Sequence, residues 1–157
     1  MHFPTRYFVL LPLSAAISLL TISCSESKVS QCNKIRNVAN EPVDAAKPIT
    51  NSAQARDPKV IRQLADVIEK ASQEMKAINV RDEKLKDYQV GYVNMYRDMG
   101  KAMRDLEAAV QQNNRLAFEA ASTNFRQATI PEAQLVTDVN KYCFGSSGST
   151  LLPASPY

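Results

Sequence analysis

Sulfur carries most of the chemistry open to this chain: three cysteines, Cys24, Cys32 and Cys143, and a methionine ladder, Met95, Met99 and Met103, repeating every four residues. Thiolates are nucleophiles and disulfide partners, and thioethers are soft ligands suited to Cu(I). The partners that usually accompany such groups are missing. His2 is the only histidine, so the chain beyond its first residues has no Ser-His or Cys-His pair, no histidine-ligated zinc or haem and no Glu-x-x-His di-iron motif. Gly91, Gly100, Gly145 and Gly148, the only glycines, form neither a phosphate-binding loop nor a dinucleotide fingerprint. Carboxylate-only and Ser-Lys catalysis survive on composition, but no spacing points to them. The sequence therefore reads as non-enzymatic and without a cofactor.

Cys24 differs from the other two cysteines in its setting. Met1 to Arg6 carries one arginine, Tyr7 to Leu20 carries no charge, and small Ser23 directly precedes the thiol. This is the order of an export signal, and its end resembles a bacterial lipobox, with Thr21 standing where such motifs usually carry Leu. On that reading residues 1–23 are a lipoprotein signal peptide, Cys24 is diacylated and becomes the first residue, and 24–29 form a lipidated tether. The chain is then anchored in a lipid bilayer on an extracytoplasmic surface, periplasmic or thylakoid-lumenal. Two rivals stay open. An uncleaved anchor would need about 20 apolar residues, and the uncharged stretch here is shorter and contains Pro12. A soluble product cut after Ser23 would leave an odd cysteine, whereas acylating Cys24 leaves Cys32 and Cys143 as a pair.

Without the signal the net charge is about +2, too small and too dispersed for a nucleic-acid surface, so none is expected. The remainder, about 130 residues, suits one domain with its own core.

The elements that must position these groups all read as helices. From Ser30, Cys32, Ile35, Val38 or Ala39, Val43 and Ala46 recur every three to four residues, with a kink expected near Val38 because of Pro42 and an end at Pro48. Residues 47–56 lack an apolar period and read as a loop. Asp57-Pro58 starts a second helix, whose stripe is Ile61, Leu64, Ile68, Ala71, Met75 and Ile78. Asp82 caps a third, with Leu85, Tyr88, Tyr92, Met95, Met99, Ala102, Leu106 and Ala109 in unbroken heptad phase. After a turn at Gln111 to Asn114, Phe118, Ala121, Phe125 and Ala128, then Leu135, Val139 and Tyr142, keep one phase across Pro131. Glu132 is the polar exception on that face. Thr129 to Glu132 fits a capping box, which assigns Glu132 a structural part.

These patterns predict an all-α protein, an antiparallel up-down four-helix bundle over 30–145 whose last helix is kinked near Pro131. A Ser- and Pro-containing tail over 146–157 is expected to be disordered. In that topology Cys32 and Cys143 fall at one end, where an oxidising compartment would join them; two buried free thiols are the alternative. Met95 and Met99 sit at core positions and Met103 beside them, so core packing competes with metal binding. Tyr96 lies off the main stripe and is the candidate contact for a partner protein.

Five segments also carry a resemblance: Cys32-Asn33-Lys34-Ile35, Asp82-Glu83-Lys84-Leu85-Lys86-Asp87-Tyr88, Met95-Tyr96-Arg97-Asp98-Met99, Gln127-Ala128-Thr129-Ile130-Pro131-Glu132 and Tyr142-Cys143. Their order is similar to that in small predicted lipoproteins of cyanobacteria, an uncharacterised family. The resemblance implies a paired-cysteine helical lipoprotein and carries no catalytic residue. The function expected is a protein-interaction or structural module at a membrane surface; the alternative is a carrier of a soft metal ion, through Met95, Met99 and Met103, or of a small apolar ligand.

Overall fold

The computed structural model describes residues 26–49 and 54–145. Cys24, the signal segment and the 146–157 tail lie outside the described residues. Five α-helices follow one another: α1 (Lys28–Ala46), α2 (Pro58–Ala77), α3 (Glu83–Gln111), α4 (Arg115–Thr129) and α5 (Glu132–Phe144), with a short 3-10 turn, Gln54–Arg56, ahead of α2. There is no strand among the described residues. None of these helices is long and apolar enough to cross a membrane.

Local chemistry explains most of the helix starts. The side chains of Ser27, Asp57, Asp82 and Asn114 each accept a backbone N–H of the following turn, from Ser30, Lys59, Leu85 and Ala117. Each satisfies a donor that the helix itself leaves unpaired. Ser27 brings the start of α1 forward to Lys28, inside the span expected for the tether. Pro42 lies within α1, which remains helical on either side of it.

The capping box expected at Thr129 to Glu132 does not form. Thr129 is the last residue of α4, still helical, with its hydroxyl donating to the Arg126 carbonyl, so it does not stand at the cap position of α5. Pro131, in αR conformation, occupies the cap position and makes no side-chain cap bond. The single phase shared by the two stripes thus spans a break between two helices, and Glu132 is released from the capping role.

Helix α3 is the centre of the assembly. At 29 residues it runs about 43 Å, with α2 along one flank and α4 along its C-terminal part, while α1 packs on α2 and α5. Flanking on both sides widens its buried face. Beyond the heptad stripe, Tyr96, Gly100, Met103 and Glu107 are also buried. Gly91 admits α5 closely: a Cβ there would stand 2.8 Å from Cδ2 of Leu135.

The start of α1, the start of α3 and the end of α5 converge. Cys32 and Cys143 form a disulfide with Cα atoms 6.0 Å apart. Beside it, Tyr142 donates to the Asp82 carboxylate at 2.9 Å, and the Gln31 side-chain oxygen Oε1 accepts the Arg81 backbone N–H at 2.7 Å. The Leu85 N–H, then the Tyr142 hydroxyl, hold the Asp82 carboxyl below its ordinary value. Towards the opposite end of α3, Arg62 of α2 pairs with buried Glu107, and Arg104 bridges Asp66 and Glu69 of α2. Together with Gln89 donating to the carbonyls of Met75 and Ile78, these contacts fix α2 and α3 as running in opposite directions.

Candidate functional site

The apolar stripe of α4 is incompletely covered. Ala121 is buried, but Phe118, Phe125 and Ala128 are only half-buried, although they occupy the same face. A helix presents about a third of its surface to a core, and that face is costly to leave uncovered. What faces Phe118 and Phe125 is a cavity of about 300 Å³ bounded by the C-terminal half of α1, the first half of α2, the second half of α3, α4 and the first residue of α5.

Its walls are apolar: Val43 and Ala46 from α1, Ile61 and Leu64 from α2, Met99 and Leu106 from α3. Among the described residues three polar side chains join them, Tyr96, Ser122 and Glu132. The Tyr96 hydroxyl donates to the Ala39 carbonyl at 3.3 Å. Burial, then the charges of neighbouring groups, push its ionisation well above the ordinary tyrosine range, so it stays a neutral donor. Glu132 makes no hydrogen bond or ion pair with any described residue. Its place in the first turn of α5 favours the ionised form through the helix dipole, yet loss of hydration outweighs this and raises its pKa.

Among the described residues, no lysine or arginine lines the cavity. Of the cations on the surrounding elements, Arg62 pairs with Glu107, Arg104 with Asp66 and Glu69, and Lys70 with Glu41 and Glu74, while the Arg56 guanidinium lies 5.9 Å from the centroid of the Phe118 ring. Tyr92, one turn before Tyr96, is 1% exposed, and its hydroxyl has no hydrogen-bond partner among the described residues. Its ring lies 5.8 Å from that of Tyr96.

The residues singled out by sequence fall as follows. Cys32 and Cys143 are joined at the far end of α3 from Arg104 and Glu107 and do not line the cavity. Met95, Met99 and Met103 are all buried, but only Met99 and Met103 reach the cavity wall. The three sulfurs thus do not share one opening, and no cluster of three His, Cys, Asp or Glu suited to a metal occurs among the described residues. Tyr96 is 3% exposed, so it is a core and cavity residue and offers no contact surface; its hydroxyl reaches Ala39 of α1, on the side that a single-stripe reading leaves outside. Glu132, assigned to capping, is the one carboxylate that the described residues place on the cavity wall. Its lone polarity on an apolar stripe was the signal that marked it.

No protein-family model, no curated protein and no solved structure matches this chain.

Proposed function

We propose that this chain is a non-catalytic binding module, held to an extracytoplasmic membrane surface through an acylated Cys24, and that it carries a small apolar ligand between its helices. The observation that supports this reading is the cavity of about 300 Å³ under the half-covered face of α4. That volume is at the small end of the range typical of ligand pockets, and apolar walls with a few polar groups are their usual composition. The disulfide suits an oxidising compartment, as does the export pattern ahead of Cys24. The resemblance to small cyanobacterial lipoproteins points the same way. An up-down order, with α4 and α5 acting together as the last, broken rod of a four-helix bundle, is compatible with the helix pairings.

The ligand reading stands ahead of the partner-protein reading because Tyr96, which carried the latter, is buried. It also stands ahead of soft-metal carriage, since Met95 is absent from the cavity wall. Tethering would raise the local concentration of the module at the membrane without any new contact.

Two measurements test the two halves. Intact-mass analysis of the chain extracted from membranes should find the mature protein beginning at an acylated Cys24, and Cys24→Ser should release it; an unmodified full-length chain would refute the anchor. Calorimetric titration of the mature chain with octanol should give saturable binding that Ser122→Phe, which fills the cavity, abolishes while the thermal midpoint is kept. Binding unaffected by that variant would put the ligand elsewhere.

A further inference from the structure

Resting on the reading of the cavity as a ligand site, we propose that its ligand is a small amphiphilic amine, with an apolar body in the cavity and a cationic nitrogen paired with Glu132. Three observations lead there. The carboxyl of Glu132 is the only carboxylate that the described residues place on the wall, and no described residue supplies it with a hydrogen bond or a counter-charge. Among the described residues no lysine or arginine lines the cavity; Arg62, Lys70 and Arg104 on neighbouring faces are each engaged by other carboxylates, and Arg56 lies over the Phe118 ring. The remaining polar group of α3 on the wall, the Tyr96 hydroxyl, is already bonded to Ala39.

Charge complementarity follows from these facts. A carboxylic acid ligand, such as a free fatty acid, would bring a second anion against Glu132 in a site whose described wall contains no cation. A neutral alcohol would fill the apolar space and give one ordinary hydrogen bond. An ammonium head would neutralise the carboxylate and form charge-assisted bonds, which are roughly twice as strong as neutral ones. Desolvation of Glu132 adds to the contrast, because a half-buried carboxylate gains more from an arriving cation than one already solvated.

The test uses the mature chain with its disulfide intact and three probes sharing one tail: octylamine, octanol and octanoate, titrated calorimetrically at neutral pH. The expected order is octylamine at least about ten-fold tighter than octanol, with octanoate weakest. Glu132→Gln should bring octylamine down to the level of octanol and leave octanol unchanged. Its fold is checked by thermal melting, where no loss is expected because the variant removes a desolvated charge. Equal binding of octylamine and octanol, octanoate binding as tightly as octylamine, or an amine preference that survives Glu132→Gln would each overturn the head-group assignment while leaving the apolar site standing. Failure of all three probes to bind would overturn the ligand site itself. A chain that sediments as a dimer and takes up no probe would assign the cavity to a second copy and overturn both.

Discussion

Reducing the Cys32–Cys143 disulfide should cost this protein a large part of its stability while leaving its helices formed. The bond closes a loop with a sequence separation of 111 residues, so it removes much of the unfolded chain's freedom. The chain-entropy relation for a loop of that size gives about 4.7 kcal/mol, an upper figure, since residual structure in the reduced chain and imperfect native geometry bring typical values to about 2–4 kcal/mol. For a domain of this length, unfolding entropy near the midpoint amounts to about 0.24 kcal/mol per degree, so the expected drop in Tm is about 8–16 °C. Helicity should persist below the new midpoint, because the α2–α3 and α3–α4 interfaces and the four side-chain caps do not involve the cysteines. The assay is circular dichroism melting of the mature chain carrying Cys24→Ser, with and without a phosphine reductant, thiol alkylation and mass measurement verifying that the bond has opened. Cys143→Ser should reproduce the reduced midpoint. A shift below about 3 °C in a fully alkylated sample would refute the loop-entropy argument. Loss of helicity at room temperature would mean instead that the helices depend on the staple.

Glu132 gives a pH prediction. Its folded pKa is raised above the ordinary 4.5, so as pH climbs through that value the unfolded chain loses its proton first, and stability falls until the folded group ionises as well. Asp82, Glu26 and Glu74 are shifted downwards and contribute the opposite slope, present above the unfolded values and lost as pH falls. The difference between variant and wild type isolates Glu132: Glu132→Gln should match wild type in Tm near pH 4 and exceed it at pH 7, and a variant less stable at pH 7 than at pH 4 relative to wild type would contradict the assignment. Tyr92→Phe should raise stability by about 1 kcal/mol in urea denaturation, since it removes a buried hydroxyl without a partner. Tyr96→Phe should lower it by about 0.5–1 kcal/mol through loss of the bond to Ala39; equal effects of the two would refute the hydrogen-bond pattern. Gly91→Ile should destabilise by about 1–3 kcal/mol, because even a Cβ stands 2.8 Å from Leu135, and an unchanged urea midpoint would mean that α5 packs elsewhere.

Sequence alone determined the parts governed by neighbours in the chain. Asp57-Pro58 and Asp82 started α2 and α3 where a side-chain oxygen meets the first free N–H groups. The eight-residue stripe from Leu85 to Ala109 is buried throughout, because a 3.6-residue period turns those positions to one side whatever lies opposite. The cysteine count pointed to Cys32 and Cys143 as the bonded pair. Tertiary structure decided everything that depends on what lies opposite. A stripe states which face is apolar but not how many helices cover it, so Tyr96 and Met103, outside a one-sided stripe, are buried by a second flank. Phe118 and Phe125 sit on a stripe as regular as any other, yet the break at Ile130 and Pro131 and the short reach of α1 leave them facing a cavity. Glu132 illustrates the same limit: its four-residue neighbourhood spelled a cap, but a capping bond requires Thr129 to leave the helix, and Thr129 is the last residue of α4, its hydroxyl bonded to the Arg126 carbonyl. Period and spacing are properties of one segment, whereas a cavity is a mismatch among five, and only the assembled helices contain it.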